Sequence, residues 1–219
     1  MNINTKDYWD KRFQTGNWEQ SQGRKSTRSF AIAALDYINI TPNFKGTILD
    51  FGCGLGDAIP IYHSHFLKAT LMGMDISVSA INQCCQNFGE IARFMQGDFQ
   101  NVPNIDVIIS SNVFEHLTNP IEVAIELMKK CKDLYIITPY KENITTSREH
   151  INSFDENSFT DVGEVNYTVF SAKTWTQEGL NLFFNIYLKN TIRPLIGKII
   201  IPRSMQIIFH IKKTSKENC

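Results

Sequence analysis

The 219-residue chain carries 22 Lys plus Arg against 22 Asp plus Glu, a formal net charge of zero, and 42% of its residues are hydrophobic. That length and apolar content suit one α/β domain with a full core and a small appendage, and the balanced charge excludes the global basic field that non-specific binding to phosphate backbones needs. Nucleic acid is thus a disfavoured partner.

Cys53, Cys84, Cys85, Cys131 and Cys219 are odd in number and lack C-x-x-C spacing, and the polar opening Asn2, Asn4, Lys6, Asp7 holds no apolar signal core. Both features point to a reducing, cytoplasmic setting. The stretch 179–209 is apolar but broken by Lys189, Arg193, Pro194, Lys198, Pro202 and Arg203. It reads as a helical cover or an oligomer contact rather than a membrane span.

In chain order, Asp7-Tyr8-Trp9-Asp10-Lys11-Arg12-Phe13 and Gly16-Asn17-Trp18-Glu19 come first, packing aromatics and charges closely within residues 1–40. They suit either a lid over a ligand or an amphipathic helix covering a sheet edge. Apolar runs at 47–51, 70–75, 105–110 and 134–138 then alternate with helical patterns near 28–39, 56–66, 77–88 and 120–131. This alternation predicts a parallel sheet with helices on both faces and a ligand beyond the carboxyl ends of the strands. Residues 141–164 are polar and turn-rich, reading as a mobile loop that leads into a short helix from Asp155-Glu156-Asn157. Residues 165–171 and 205–211 alternate like strands and fit an antiparallel edge pair.

The most informative segment is Ile48-Leu49-Asp50-Phe51-Gly52-Cys53-Gly54-Leu55-Gly56. Glycine permits positive φ and lets a ligand lie against the backbone, while the following helix offers free N–H groups. A tight strand-to-helix turn without a ligand is the plainer alternative. Asp75 closes the run Leu71-Met72-Gly73-Met74-Asp75 about 20 residues later, where a ribose-binding carboxylate is expected; it could instead cap the helix near Ser77. In Gln96-Gly97-Asp98-Phe99 an acid and an aromatic stand together, able to accept from an exocyclic amine and stack on a base, or simply to form a turn with a buried Phe.

In this order the signals resemble the class I S-adenosylmethionine-dependent methyltransferases, small-molecule branch, from about residue 45 to residue 140. The resemblance implies a Rossmann-like, seven-stranded, mostly parallel sheet and one methyltransferase domain over 1–219: an N-terminal lid (1–40), a cofactor-binding core (45–140), and a substrate loop, edge strands and helical insertion (141–219). It implies that Asp50, Gly52, Cys53, Gly54 and Gly56 hold the methionine part of S-adenosyl-L-methionine. Asp75 would grip the ribose, Ile76 would pack on adenine, and Asp98 and Phe99 would lie beside the adenine amine. Ser110-Ser111-Asn112-Val113-Phe114-Glu115-His116-Leu117 looks like the post-strand motif of that branch, with Ser110 and Asn112 near the cofactor's amino end. Tyr8, Trp9, Arg12 and Trp18 look like its lid, with Arg12, Arg24, Lys25 or Arg28 available to a substrate carboxylate or phosphate.

One departure narrows the acceptor. Methyltransferases that act on nucleobase amines carry Asn/Asp-Pro-Pro-aromatic after the fourth strand, where this chain has Ser111-Asn112-Val113-Phe114. No acid triplet matches a metal-dependent catechol-type enzyme, so no metal is expected.

A hydroxyl acceptor needs a base, for which the candidates are His116 and His150, with Glu115 behind them. Each His has a structural alternative as a loop contact. His63, His65 and His210 read as structural. The leading expectation is O-methylation of a sugar, glycan precursor or similar metabolite by analogy, with N-methylation of a small amine open. A nicotinamide oxidoreductase would need glycine at 57, where the chain has Asp57. A non-catalytic cofactor-binding or docking module is the remaining alternative. It would use the apolar face Leu182, Phe183, Phe184, Ile186, Leu188, Ile192, Leu195 and Ile199, through which a homodimer could also form.

Overall fold

The computed structural model describes residues 3–171, 183–198 and 205–213. Its centre is a seven-stranded sheet built from β1 (Thr47–Phe51), β2 (Thr70–Asp75), β3 (Arg93–Gln96), β4 (Val107–Ser111), β5 (Asp133–Pro139), β6 (Glu164–Ser171) and β7 (Met205–Lys212), in the spatial order β3-β2-β1-β4-β5-β7-β6. The first five strands are mutually parallel, while β7 runs antiparallel to both β5 and β6.

The central strands are buried on both faces, which is why they read as continuous apolar runs. Successive side chains alternate between two cores. Leu49, Ile108, Leu134, Ile136 and Phe209 face one side, together with Val123, Ala124 and Leu127 of α6 (Pro120–Lys130) and with Phe154 and Phe159. Ile48, Val107, Ile109, Tyr135 and Ile208 face the other, against Ala31 and Ala34 of α3 (Gly23–Leu35) and Ile59 and Tyr62 of α4 (Ile59–His65). Two further helices, α1 (Lys6–Gln14) and α2 (Asn17–Gln20), precede the sheet, and α5 (Val78–Phe88) links β2 to β3.

Two local expectations are corrected. The chain has an additional short strand, β3, whose ends Arg93 and Gln96 are exposed and whose middle is half-buried; a four-residue edge strand of that kind carries no apolar run. Residues 155–162 form turns rather than a helix, because the Asp155 carboxylate accepts from Asn157 N at 3.0 Å and from Ser158 Oγ at 3.1 Å, and these local bonds compete with helical ones.

Leu182 and Ile199 of the expected apolar C-terminal face lie outside the described residues. A π-helical run over Phe183–Leu188 continues into α7 (Lys189–Ile192), and Phe184, Leu188, Ile192 and Leu195 are exposed. Among the described residues, no helix is long and apolar enough to cross a membrane.

Candidate functional site

The strand order reverses at β1, whose neighbours are β2 and β4. Loops leaving the carboxyl ends of β1 and β4 diverge at such a point and open a crevice. The crevice here contains about 1200 Å³ of space, including its mouth to solvent.

One wall is the glycine turn. Gly52, Gly54 and Gly56 have φ of 78°, 50° and 76°. At Gly52 a Cβ would fall 2.3 Å from Cγ2 of Val113, so both the backbone and the neighbouring loop require glycine. The turn is tied to the end of β2: Gly52 N and Cys53 N both donate to Met74 O, at 2.8 and 2.9 Å, and Gly54 N donates to Asp75 Oδ2 at 2.9 Å. Asp75 also accepts Ser77 N at 2.9 Å, while the Ser77 side chain itself caps α5 by accepting Ala80 N. Asp75 thus holds the turn and the start of the helix together, in addition to lining the crevice.

Asp50 is 4% exposed at the base of the same wall, and burial, followed by the nearby Asp75 carboxylate, pushes its pKa up to about 7. A cationic ligand group beside it would hold it ionised. Ile76, Gly97, Asp98 and Phe99 line the opposite wall. Asp98 is exposed and caps a short 3₁₀ turn by accepting Gln100 N at 2.9 Å, leaving carboxylate lone pairs for a ligand.

The N-terminal helices cover the crevice. Phe13 is buried against Leu55 and Ala80, with Trp9 and Trp18 packed on it at ring separations of 6.0 and 5.7 Å. Asp10 docks α1 onto α5 by accepting Ser77 Oγ and Ser79 N, each at 2.8 Å. The Arg12 guanidinium lies 5.5 Å from Trp9 and 5.4 Å from Trp18, and it pairs with Glu149, to which Tyr8 also donates. Arg24 and Arg28 pair with the nearly fully buried Asp57, at 3.5 and 3.0 Å. The three arginines expected to be open to a substrate anion are therefore engaged by internal carboxylates.

After β4, Asn112 adopts φ 55°, a conformation Asn tolerates. It is held by three bonds: its N–H donates to Ile137 O, its Nδ2 to Ser111 Oγ, and its Oδ1 accepts Gln206 Nε2. Glu115 follows, 1% exposed, with burial raising its pKa to about 8. The 149–152 segment latches onto this loop: Ile151 N and Asn152 N donate to Glu115 O, and Asn152 Nδ2 donates to Leu117 O at 2.6 Å.

That latch brings the two predicted histidines together, with rings 4.9 Å apart and His116 also 5.1 Å from Trp9. His116 Nδ1 lies 3.0 Å from Glu149 O, which as a carbonyl can only accept; the ring therefore helps hold the loop, as the structural alternative expected. Burial, and then the neighbouring His150 and Arg12, lower the His116 pKa to about 3. His150 Nδ1 pairs with the Glu142 carboxylate.

Trp9, Trp18, Asp50, Gly52, Cys53, Gly54, Asp75, Ile76, Asp98, Phe99, Asn112 and His116 all line the crevice. Gly56, Ser110, Tyr8, Arg12 and His150 do not. Gly56 sits behind the turn against Cys84 and Phe88. Ser110 is fully buried and donates to Phe51 O, bracing β4 on β1. Tyr8 and Arg12 pair with Glu149, and His150 packs against His116, which does line the crevice. Sequence reasoning missed Phe13 as a wall residue and Asp57, Glu142 and Glu149 as anchors. Of these, Phe13 carried a signal as an aromatic anchor of the segment Asp7 to Phe13, and Asp57 through its place one residue past the glycine turn. His210, read as structural, has a partner in Asp133 at 2.6 Å and stacks on Tyr135.

Residues 48–134 match a protein family described as a methyltransferase domain. None of the curated proteins matches the chain. Solved structures similar to it include the plantazolicin methyltransferase BpumL in complex with SAH, at 20% identity and TM-score 0.61, covering 93% of this chain and 90% of that one. Also similar is the complex between the Haloferax volcanii Trm112 methyltransferase activator and a candidate methyltransferase, at 15% identity and TM-score 0.69, covering 94% and 97%. A third is coclaurine N-methyltransferase bound to N-methylheliamine and SAH, at 12% identity and TM-score 0.62, covering 85% and 72%. At such identities the structures speak for the fold alone, and it is the matched segment, with the glycine turn and the strand-end acids, that speaks for the family. Residues 48–134 thus match a methyltransferase domain, and the fold around them is similar to that of methyltransferases solved with SAH.

Proposed function

We propose that the chain transfers the methyl group of S-adenosyl-L-methionine to a hydroxyl of a small acceptor, such as a sugar, glycan precursor or similar metabolite, releasing S-adenosyl-L-homocysteine. The observation that carries this reading is the continuity of the crevice. It runs from the glycine turn, Asp75 and Asp98 to His116, whose ring abuts both Trp9 of the lid and His150.

In this reading Asp50 faces the cationic methionine end of the cofactor, Asp75 takes the ribose, and Asp98 and Phe99 flank the base. The acceptor lies under Trp9 and Trp18. The sulfonium methyl is already activated, so the protein's main task is in-line positioning, worth about 7–11 kcal/mol at best. As the acceptor oxygen forms its bond to carbon, the C–S electrons return to sulfur and the hydroxyl proton must leave. His150 stands beside His116 rather than on the crevice wall, and it would take that proton through one intervening water: its Nδ1 is directed at Glu142, leaving the Nε2 lone pair free, as in other carboxylate-oriented imidazoles. A ring held to a pKa of about 3 is too weak a base at neutral pH, so His116 orients rather than abstracts.

The proposal includes one domain over residues 1–219, a cytoplasmic setting, supported by the free Cys53, Cys84, Cys85 and Cys131, and a homodimer through the exposed apolar residues around α7. The test is single-turnover transfer from labelled cofactor to panels of hydroxyl and amine acceptors. His150→Ala should lower transfer to a hydroxyl by about 10²–10⁴-fold while S-adenosylhomocysteine binding persists. Equal loss with amine acceptors refutes a base specific to hydroxyls, and turnover of amines alone moves the reading to N-methylation.

A further inference from the structure

Glu115, His116 and His150 each present one ligand atom, and these atoms all lie within 4.8 Å of one another, with His116 on the crevice wall. Among the described residues this is the one group of three or more His, Cys, Asp or Glu side chains so placed.

Each member is prepared to ligate. Because Glu149 O can only accept, the His116 hydrogen resides on Nδ1 and the lone pair on Nε2. The Glu142 carboxylate fixes His150 in the same tautomer. A carbonyl or carboxylate on the far nitrogen is the usual partner of a metal-bound imidazole, setting both its tautomer and its orientation. Glu115 supplies a second, independent sign. Its Oε2 lies 3.4 Å from the Thr138 hydroxyl, but its Oε1 is buried without a hydrogen-bond partner. A buried carboxylate oxygen left unpaired is expensive unless a cation meets it.

We propose that Glu115, His116 and His150 bind a first-row divalent transition-metal ion at the acceptor end of the crevice. One carboxylate and two imidazoles suit Zn²⁺, Mn²⁺ or Fe²⁺, whereas Mg²⁺ and Ca²⁺ seek oxygen ligands. Bonds of about 2.0–2.2 Å place neighbouring ligands roughly 3 Å apart, so the group closes by about an ångström or two around the ion. Three protein ligands leave a position for water or for the acceptor oxygen. There the ion would make the acceptor hydroxyl acidic, its proton leaving to solvent, and His150 would act as a ligand rather than as the base. This catalytic role rests on the hydroxyl-acceptor reading above; binding of the ion does not. Of the nearby charges, Glu142 and Glu149 favour a cation, and Arg12 is already paired with Glu149.

The experiment is isothermal titration of the chelator-treated full chain with ZnCl₂ and with MnCl₂, MgCl₂ serving as control, together with the visible spectrum of the Co²⁺-loaded protein. One ion per chain with micromolar or tighter affinity for Zn²⁺ or Mn²⁺, weakened at least 100-fold in both His150→Ala and Glu115→Gln, is the expected result. The Co²⁺ spectrum should show nitrogen and oxygen ligation without a thiolate band. No uptake by the wild type, unchanged affinity in a variant that still answers S-adenosylhomocysteine with a thermal shift, or a thiolate band would each overturn the proposal. If one variant fails to fold, the other and the wild-type Co²⁺ spectrum decide. Failure of the methyl-transfer reading would appear separately, as the absence of any S-adenosylhomocysteine shift in the wild type.

Discussion

Asp50 ends in a place where its charge is costly until a ligand arrives, and this gives a measurable pH signature. Its pKa moves from 3.8 in the unfolded chain to about 7 in the folded one. For an acid with a raised folded pKa, this group weighs least on stability below pH 3.8, and stability is lost as pH rises from 3.8 to about 7. The penalty corresponds to about 1 pKa unit at pH 5 and about 3 units at pH 8, a difference of about 2 units, or roughly 3 kcal/mol. In Asp50→Asn this pH-dependent part disappears, so the variant should gain on the wild type by that amount between pH 5 and pH 8. The assay is urea unfolding of both proteins at the two pH values, followed by tryptophan fluorescence. In thermal scans the same gain amounts to about 6–12 °C for a chain of this size. Ligand should act in the opposite direction: S-adenosylhomocysteine at about 100 times its Kd adds about 2.7 kcal/mol to the wild type and far less to Asp50→Asn. Parallel stability profiles for the two proteins across this pH range would refute the reasoning, since a carboxylate that costs nothing on ionisation is not desolvated.

Two other perturbations probe the anchor of the N-terminal helices and the glycine turn. Arg24→Ala combined with Arg28→Ala leaves Asp57 as an unpaired buried carboxylate and should cost about 3–5 kcal/mol, more than Asp57→Asn, which removes the charge itself; chemical denaturation of the three proteins orders them. Gly52→Ala introduces a Cβ 2.3 Å from Val113 at φ 78°, and the strain and overpacking together should cost about 2–5 kcal/mol. Adding Val113→Ala should recover the packing part but not the backbone part, and full recovery would show that φ is not under strain.

The central sheet was legible because parallel strands covered on both faces need apolar residues at every position, and 47–51 and 70–75 coincide with β1 and β2. The acids at the strand ends stood out for the converse reason: Asp50 and Asp75 interrupt apolar runs where a buried charge requires a purpose. β3 escaped notice because an edge strand with exposed Arg93 and Gln96 has no such run. The 155–162 turns escaped because Asp155 suits the start of a helix and an Asx turn equally well, and only its actual hydrogen bonds separate the two.

At the site, the sequence by itself determined the glycine turn, the acids that surround it and the aromatic character of the N-terminal helices, since each follows from residue type at short spacing. Only the tertiary structure decided where the charges go. Arg24 and Arg28 meet Asp57 across about 30 positions, and Arg12 meets Glu149 across 137, so groups that looked free for a substrate are spent on holding the N-terminal helices. The same folding places His150 beside His116 and Glu115. Pairing between charges depends on separation in space, which falls off over a few ångströms, and no spacing along the chain encodes it once the partners lie on different loops.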